Sequence, residues 1–333
     1  MRRREFIRLL GGAAAWPLAA RAQQADRVRR VASLWASQAG EAESSLILGS
    51  FRQELAKLGW VEGRNLRIDL RFAGGDVDRI RSYAAELVSL DPDVIVTVSG
   101  AATNAVRQRT RTIPIVFYGV GGIPEAGGGA VENIARPEGN TTGITNLYFS
   151  VAGKWLQLLK DAAPWLARAA VIFNPEFNPR ILQGGGFAAP IAAAAPSLGV
   201  QVIWTPYRTA VELEQAIAAF AAEPNGGLIL LLPANNFVGE TIYRLAAQYR
   251  LPAIYPDTNF VRAGGLMSYG PDRFSMMRQL TSYVDRILRG TKPGDLPVQF
   301  PTKFDLAINR RAAMAIGLEF PPVLLGTADV VIE

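Results

Sequence analysis

Ser99-Gly100-Ala101-Ala102-Thr103 is the segment best suited by residue type to hold a charged small molecule. It follows a short apolar run and opens a helical pattern. A helix start presents backbone N–H groups without internal partners, and the positive end of its dipole favours a carboxylate. The hydroxyls of Ser99 and Thr103 add donors, and Gly100 and Ala101 let a ligand come close to the backbone. Ser99 also reads as an ordinary N-cap, and one residue can serve both roles. Trp35, Tyr118 and Tyr269 each sit at or just beyond the end of an expected strand, where an aromatic ring either packs into the core or lies against an apolar ligand. Ser37 and Gly119 stand beside two of them. Asp257, just past another strand, suits a ligand amine; the same residue also fits an Asx turn in Pro256-Asp257-Thr258-Asn259. Asn174, Asn235 and Asn236 follow strand ends as well.

Much other chemistry is excluded. The chain has neither Cys nor His, so thiol nucleophiles, imidazole bases, disulfides and Cys/His zinc sites are ruled out. Lysine occurs only at positions 57, 154, 160, 292 and 303. A carboxylate-dependent enzyme such as a glycosidase needs two acids about 5–10 Å apart, and no convincing pair stands out. Gly119–Gly129 resembles a nucleotide loop only superficially: a third glycine at the right spacing and a Gly-Lys-Ser/Thr are both lacking. It reads better as a connection needing unusual backbone angles. The expectation is therefore a binder with no catalytic residue, no metal and no cofactor.

These residues need a frame, and the apolar pattern supplies one. Strands are expected at Arg29–Trp35, Asn65–Phe72, Asp93–Val98 and Ile113–Phe117. Helices are expected between them at Ser44–Leu58, Val77–Leu90 and Ala101–Thr110. After Gly119–Asn140 the alternation resumes, from helix Val151–Ala163 to helix Arg273–Arg289. A strand-like run Val298–Ile308 and helix Arg310–Ile316 complete it. Continuous apolar strands between helices imply parallel sheets covered on both faces. The fold class is thus α/β: two doubly wound parallel-sheet lobes with a ligand cleft between them, at the carboxyl ends of the strands. The expected division is 27–146 with about 271–300, and 147–270 with about 301–333.

Residues 1–22 read as an address. Met1–Arg4 is basic, Phe6–Ala20 is mostly apolar, and Ala20-Arg21-Ala22 is a small-x-small cleavage pattern, so Gln23 would begin the mature chain. Arg3-Arg4-Glu5-Phe6-Ile7 matches a twin-arginine export signal. This leader carries five Arg and one Glu, a local +4 out of the whole chain's +6, so the remainder carries only +2. That is no basic footprint for nucleic acid, and 22 residues of leader leave no space for a DNA-binding headpiece.

Several blocks occur in a specific order: Thr112-Ile113-Pro114-Ile115-Val116-Phe117, Arg136-Pro137-Glu138-Gly139-Asn140-Thr141-Thr142-Gly143, Gly264-Gly265-Leu266-Met267-Ser268-Tyr269-Gly270, Arg289-Gly290-Thr291-Lys292-Pro293-Gly294-Asp295, and Asn309-Arg310-Arg311-Ala312-Ala313-Met314. With them the chain resembles the periplasmic substrate-binding proteins of ABC transporters, in the family that includes tryptophan-binding and other aromatic amino-acid-binding members. Ile123-Pro124 departs from that pattern, which has Asp-Pro. The resemblance implies a periplasmic binding protein-like fold. It also implies periplasmic capture of a small-molecule solute by hinge closure, delivery to permease subunits in the membrane, and a monomer. A binding protein serving a receptor is the alternative within the same class.

Overall fold

The structure is a computed structural model that describes residues 27–119, 133–137, 139–146, 148–176, 178, 180–231 and 237–333. The leader, residues 120–132, Asn235 and Asn236 lie outside the described residues. The chain divides into two compact units. The first holds the described residues up to Thr145 together with Met277–Gln299; the second holds Asn146–Met276 and Phe300–Glu333.

The first unit alternates β1 (Arg29–Trp35), α1 (Ala42–Lys57), β2 (Leu66–Phe72), α2 (Val77–Ser89), β3 (Val94–Val98), α3 (Gly100–Arg107), β4 (Ile115–Tyr118) and β5 (Thr141–Ile144). Its sheet runs β2-β1-β3-β4-β5 with every pair parallel. The helices form where sequence and capping agree. Asp76 accepts from the N–H groups of Asp78 and Arg79, and Ile80, Ala84 and Leu87 then recur at helical spacing on the buried face of α2. They pack with Leu34, Ile95, Val106 and Ile115 in one cluster. Full burial of each such side chain contributes roughly 1.5–3 kcal/mol. The sequence reading missed β5, whose Thr-Thr-Gly-Ile is short and polar. Gly143 explains it: a Cβ there would lie 2.2 Å from the Phe117 carbonyl oxygen, so only glycine lets this strand join β4.

The second unit contains α4 (Ala152–Ala162), β6 (Arg168–Phe173), α5 (Ala188–Leu198), β7 (Gln201–Pro206), α6 (Ala210–Ala221), β8 (Gly226–Leu230) and α7 (Phe237–Gln248). Then come β9 (Ala253–Tyr255), α8 (Thr258–Arg262), β10 (Met267–Pro271) and α9 (Arg273–Leu288). The chain ends with β11 (Phe304–Asn309), α10 (Arg310–Ile316), α11 (Pro322–Thr327) and β12 (Val330–Ile332). Helix α9 leaves this unit after Met276 and continues in the first. The sheet order is β12-β11-β10-β9-β8-β6-β7.

Two differences from expectation have physical causes. β11 runs antiparallel to β10, so this sheet is mostly and not wholly parallel. The expected strand Val298–Ile308 is a strand only from Phe304. Val298 and Gln299 donate instead to the carbonyls of Ile134 and Gly143, at 2.8 and 3.0 Å, and belong to the first unit.

Candidate functional site

At the carboxyl edge of the first sheet, Trp35, Phe72, Val98, Tyr118 and Ile144 stand in register across all five strands. This places Trp35 and Tyr118 at the edge, as their positions in the sequence suggest, and the packing turns both inward. Trp35 is 2% exposed, its indole N–H donates to Ser33 Oγ at 2.8 Å, and its ring lies 5.5 Å from that of Phe72. Tyr118 is 6% exposed. Both back the edge and expose little ring. Two residues beyond Trp35, Ser37 Oγ pairs with Ser44 Oγ at 2.8 Å, and directly after Tyr118, Gly119 donates its N–H to the Ile144 carbonyl with φ of 110°.

Ser99 sits between β3 and α3 with φ 122° and ψ 161°, a region that L side chains rarely adopt. Its N–H bonds the Tyr118 carbonyl at 3.3 Å. Its Oγ accepts from the Ala102 N–H at 3.2 Å, and its carbonyl accepts from both the Thr103 N–H (3.1 Å) and the Thr103 hydroxyl (2.7 Å). Among the described residues the first turn of α3 is thereby satisfied except at the N–H groups of Gly100 and Ala101, which a helix cannot pair internally. Ala101 is exposed, while Ser99 and Gly100 are half-buried. Thr103 is fully buried, and its proton goes to Ser99. It shapes the helix start and offers no donor outward.

In the second unit Asn174 follows β6 and is buried. Its Oδ1 accepts from the Glu176 N–H at 2.9 Å, and its carbonyl accepts from the Asn178 N–H at 2.9 Å, building a tight turn. Asp257 is 5% exposed. Its Oδ1 caps α8 through the Asn259 N–H at 2.9 Å, and its Oδ2 takes Arg273 Nη2 at 2.8 Å. Both oxygens therefore already carry a partner. Burial pushes the carboxyl up to about 6 against the pull of the Asn259 N–H, and burial holds the Arg273 guanidinium down to about 10. The Asx turn foreseen at this position is present; Arg273, sixteen residues away, carried no sequence signal. Tyr269 is half-buried. Its ring stacks on Phe304 with centroids 5.7 Å apart, and its carbonyl accepts from the Trp155 indole at 2.6 Å. Of the expected aromatic trio it keeps the most accessible ring.

Polar groups thus follow parallel strands in both units, Ser99 after β3 and Asn174 and Asp257 after β6 and β9, where doubly wound sheets place their ligands. Trp35 and Tyr118 end their strands, whereas Tyr269, expected at a strand end, is the middle residue of β10. Residues 42–332 match the family described as ABC transporter substrate binding protein. The chain belongs to that family. A tyrosine-binding protein of Clostridioides difficile (strain R20291) is 26% identical over 273 residues, which cover 81% of this chain and 76% of that relative. Among solved structures, a conserved domain protein from Vibrio cholerae superposes with a TM-score of 0.72 at 26% identity, covering 92% of this chain and all of that one. An ABC domain in complex with L-Trp from Streptococcus pneumoniae gives 0.74 at 20% identity, covering 91% and 99%. Members of this family are solute-binding components of transport systems, and the fold found here is theirs. No helix among the described residues is long and apolar enough to cross a membrane.

Proposed function

We propose that this protein captures an amino acid with an aromatic side chain outside the cytoplasmic membrane and hands it to an ABC importer, with closure of the two units driven by the solute. The observation that carries the reading is the start of α3. Strained Ser99 leaves the N–H groups of Gly100 and Ala101 without partners among the described residues, which suits an α-carboxylate. Hydrogen bonds to a charged group contribute roughly 1.5–3 kcal/mol each, and a partly buried helix start adds up to about 2 kcal/mol. The half-exposed Tyr269 supplies an apolar wall, at about 25 cal/mol per Å² of surface removed from water. After the cost of ordering, these terms support binding near the micromolar range, about −8 kcal/mol. Export with cleavage after Ala22 is part of the same proposal.

Calorimetry of the chain with L-tyrosine, L-tryptophan and their amides tests it. The acids bind, and Ser99→Ala weakens them about tenfold (one hydrogen bond to a charge) while hardly changing the amides. Tyr269→Ala weakens both forms alike. Equal losses for acid and amide in Ser99→Ala remove the carboxylate assignment, and no heat with either acid removes the aromatic amino-acid assignment.

A further inference from the structure

The chain passes between its two units at 145/146, at 276/277 and at 299/300. On the first-unit side the three passing segments are bonded to one another. The Thr145 N–H donates to the Gln299 carbonyl at 2.9 Å, and the Gln299 N–H donates to that of Gly143 at 3.0 Å. Gln299 Nε2 reaches the Tyr283 hydroxyl on α9 at 3.0 Å, and that hydroxyl donates to the Pro297 carbonyl. On the second-unit side the start of α9 is fixed as firmly. Asp272 Oδ1 caps it through the N–H groups of Phe274 (2.9 Å) and Ser275 (3.1 Å). The Asp272 N–H donates to the Lys303 carbonyl at 2.9 Å, Lys303 Nζ returns to Asp272 Oδ2 at 3.1 Å, and Arg273 is held by Asp257.

Helix α9 is therefore anchored at Asp272–Ser275 in one unit and at Tyr283 in the other, and it contains the 276/277 passage. Any change in the relation of the units has to be absorbed by the turns between. Within them Thr281, fully buried, donates its hydroxyl to the Met277 carbonyl, four residues earlier. A helix carbonyl shared between the i+4 backbone N–H and a side-chain hydroxyl holds the backbone less tightly, and such sites bend helices. No water reaches this hydroxyl, so the carbonyl is its permanent partner.

We infer that Thr281 makes the Met277–Thr281 turn the bending point of α9, a hinge element built into the one passage that is helical. The inference rests on the closure reading only in that closure is the motion the bend serves.

The chain has no cysteine, so Gln53→Cys on α1 and Gln215→Cys on α6, both exposed, give unique spin-label positions, one in each unit. Double electron–electron resonance on the solute-free full chain should show a broad distance distribution in this parent. Thr281→Val, which keeps the side-chain shape and deletes the hydroxyl, loses part of that breadth, and Thr281→Ser restores it. If Thr281→Val melts without cooperativity, Thr281→Ala takes its place. Equal breadth with and without the hydroxyl overturns the hinge assignment, as does a parent already as narrow as the valine variant. Adding L-tyrosine or L-tryptophan separates the two readings. If neither solute shifts the parent while Thr281→Val still narrows it, the closure reading fails and the bend stands.

Discussion

Thr103 gives its only hydroxyl proton to the Ser99 carbonyl at 2.7 Å, so in its 2.8 Å contact with Thr97 Oγ1 the donor is Thr97. Two buried threonines thus form a one-way relay that ends on the carbonyl of a residue held at φ 122°. The relay joins the Ser99 N–H bond to the Tyr118 carbonyl and the Ala102 cap in holding the start of α3.

The direction of the relay makes its two members unequal. Thr97→Val removes one donor and leaves Thr103 with its bond to Ser99, costing about 0.5–1.5 kcal/mol. Thr103→Val strands the Thr97 hydroxyl in a site with no solvent and removes one of the two bonds to the Ser99 carbonyl, leaving only that from the Thr103 N–H, costing about 1–3 kcal/mol. Urea midpoints of the two isosteric variants check the order. A larger loss for Thr97→Val contradicts the donor assignment.

Position 99 should prefer glycine to alanine. Ser99→Ala keeps the strained backbone and loses the cap, whereas Ser99→Gly relieves the φ and loses only a few tenths of a kcal/mol of capping. The glycine variant is expected to be more stable than the alanine variant by about 1 kcal/mol or more, since such backbone strain costs on the order of 1–3 kcal/mol. Differential melting of the pair measures it.

Asp257 gives stability a pH dependence of definite sign. Its carboxyl is raised in the folded chain from 3.8 to about 6 by burial, so the folded state holds the proton more tightly than the unfolded one. The resulting stabilisation is full below about pH 3.8 and is lost as pH rises through about 6. It is on the order of 2–3 kcal/mol, because each tenfold difference in proton affinity between the two states is worth about 1.4 kcal/mol. Asp257→Asn keeps an N-capping side chain and should remove this segment from the stability curve. Urea midpoints of both proteins, taken at intervals from about pH 4.5 to about pH 7.5 to bracket the transition, give the difference, and parallel curves contradict the assignment.

Two buried hydroxyls of the second unit have no hydrogen-bond partner among the described residues: Ser268 Oγ, on a fully buried residue, and Tyr207 OH, whose phenol burial pushes up to about 12. A buried hydroxyl without a partner costs on the order of 1–3 kcal/mol. Tyr207→Phe and Ser268→Ala should therefore be neutral or stabilising, against the usual trend for core changes. Calorimetric melting decides, and a loss above about 1 kcal/mol for Tyr207→Phe reveals a partner for its hydroxyl.

Local signals carried much of the frame. The apolar runs at Asp93–Val98 and Ile113–Phe117 read as buried strands because a strand covered on both faces has no polar side. The helix expected at Val77–Leu90 was legible for the same reason of locality, its cap at Asp76 and its buried Ile80, Ala84 and Leu87 lying within a few residues of one another. Ser99 as N-cap was legible too, since a cap and its targets lie within four residues. β5 was not legible: Thr-Thr-Gly-Ile is a strand because Gly143 lets it close on the Phe117 carbonyl, a contact made across 26 residues of chain.

By itself the sequence determined an α/β chain with no thiol or imidazole chemistry, strands ending in Trp35 and Tyr118, and a serine opening a helix; Tyr269, expected at a strand end, lies in the middle of β10. Periodicity, capping and composition act over a few residues, so they survive in one dimension. Only the tertiary structure decided what those groups have left to offer. It buried the Trp35 and Tyr118 rings, directed the Thr103 proton to Ser99, gave Asp257 to Arg273, reversed β11, and placed the Thr281 hydroxyl where α9 passes between units. Each of these depends on which surfaces and hydrogen-bonding groups meet across long stretches of chain. That competition for partners is resolved only when the chain is packed.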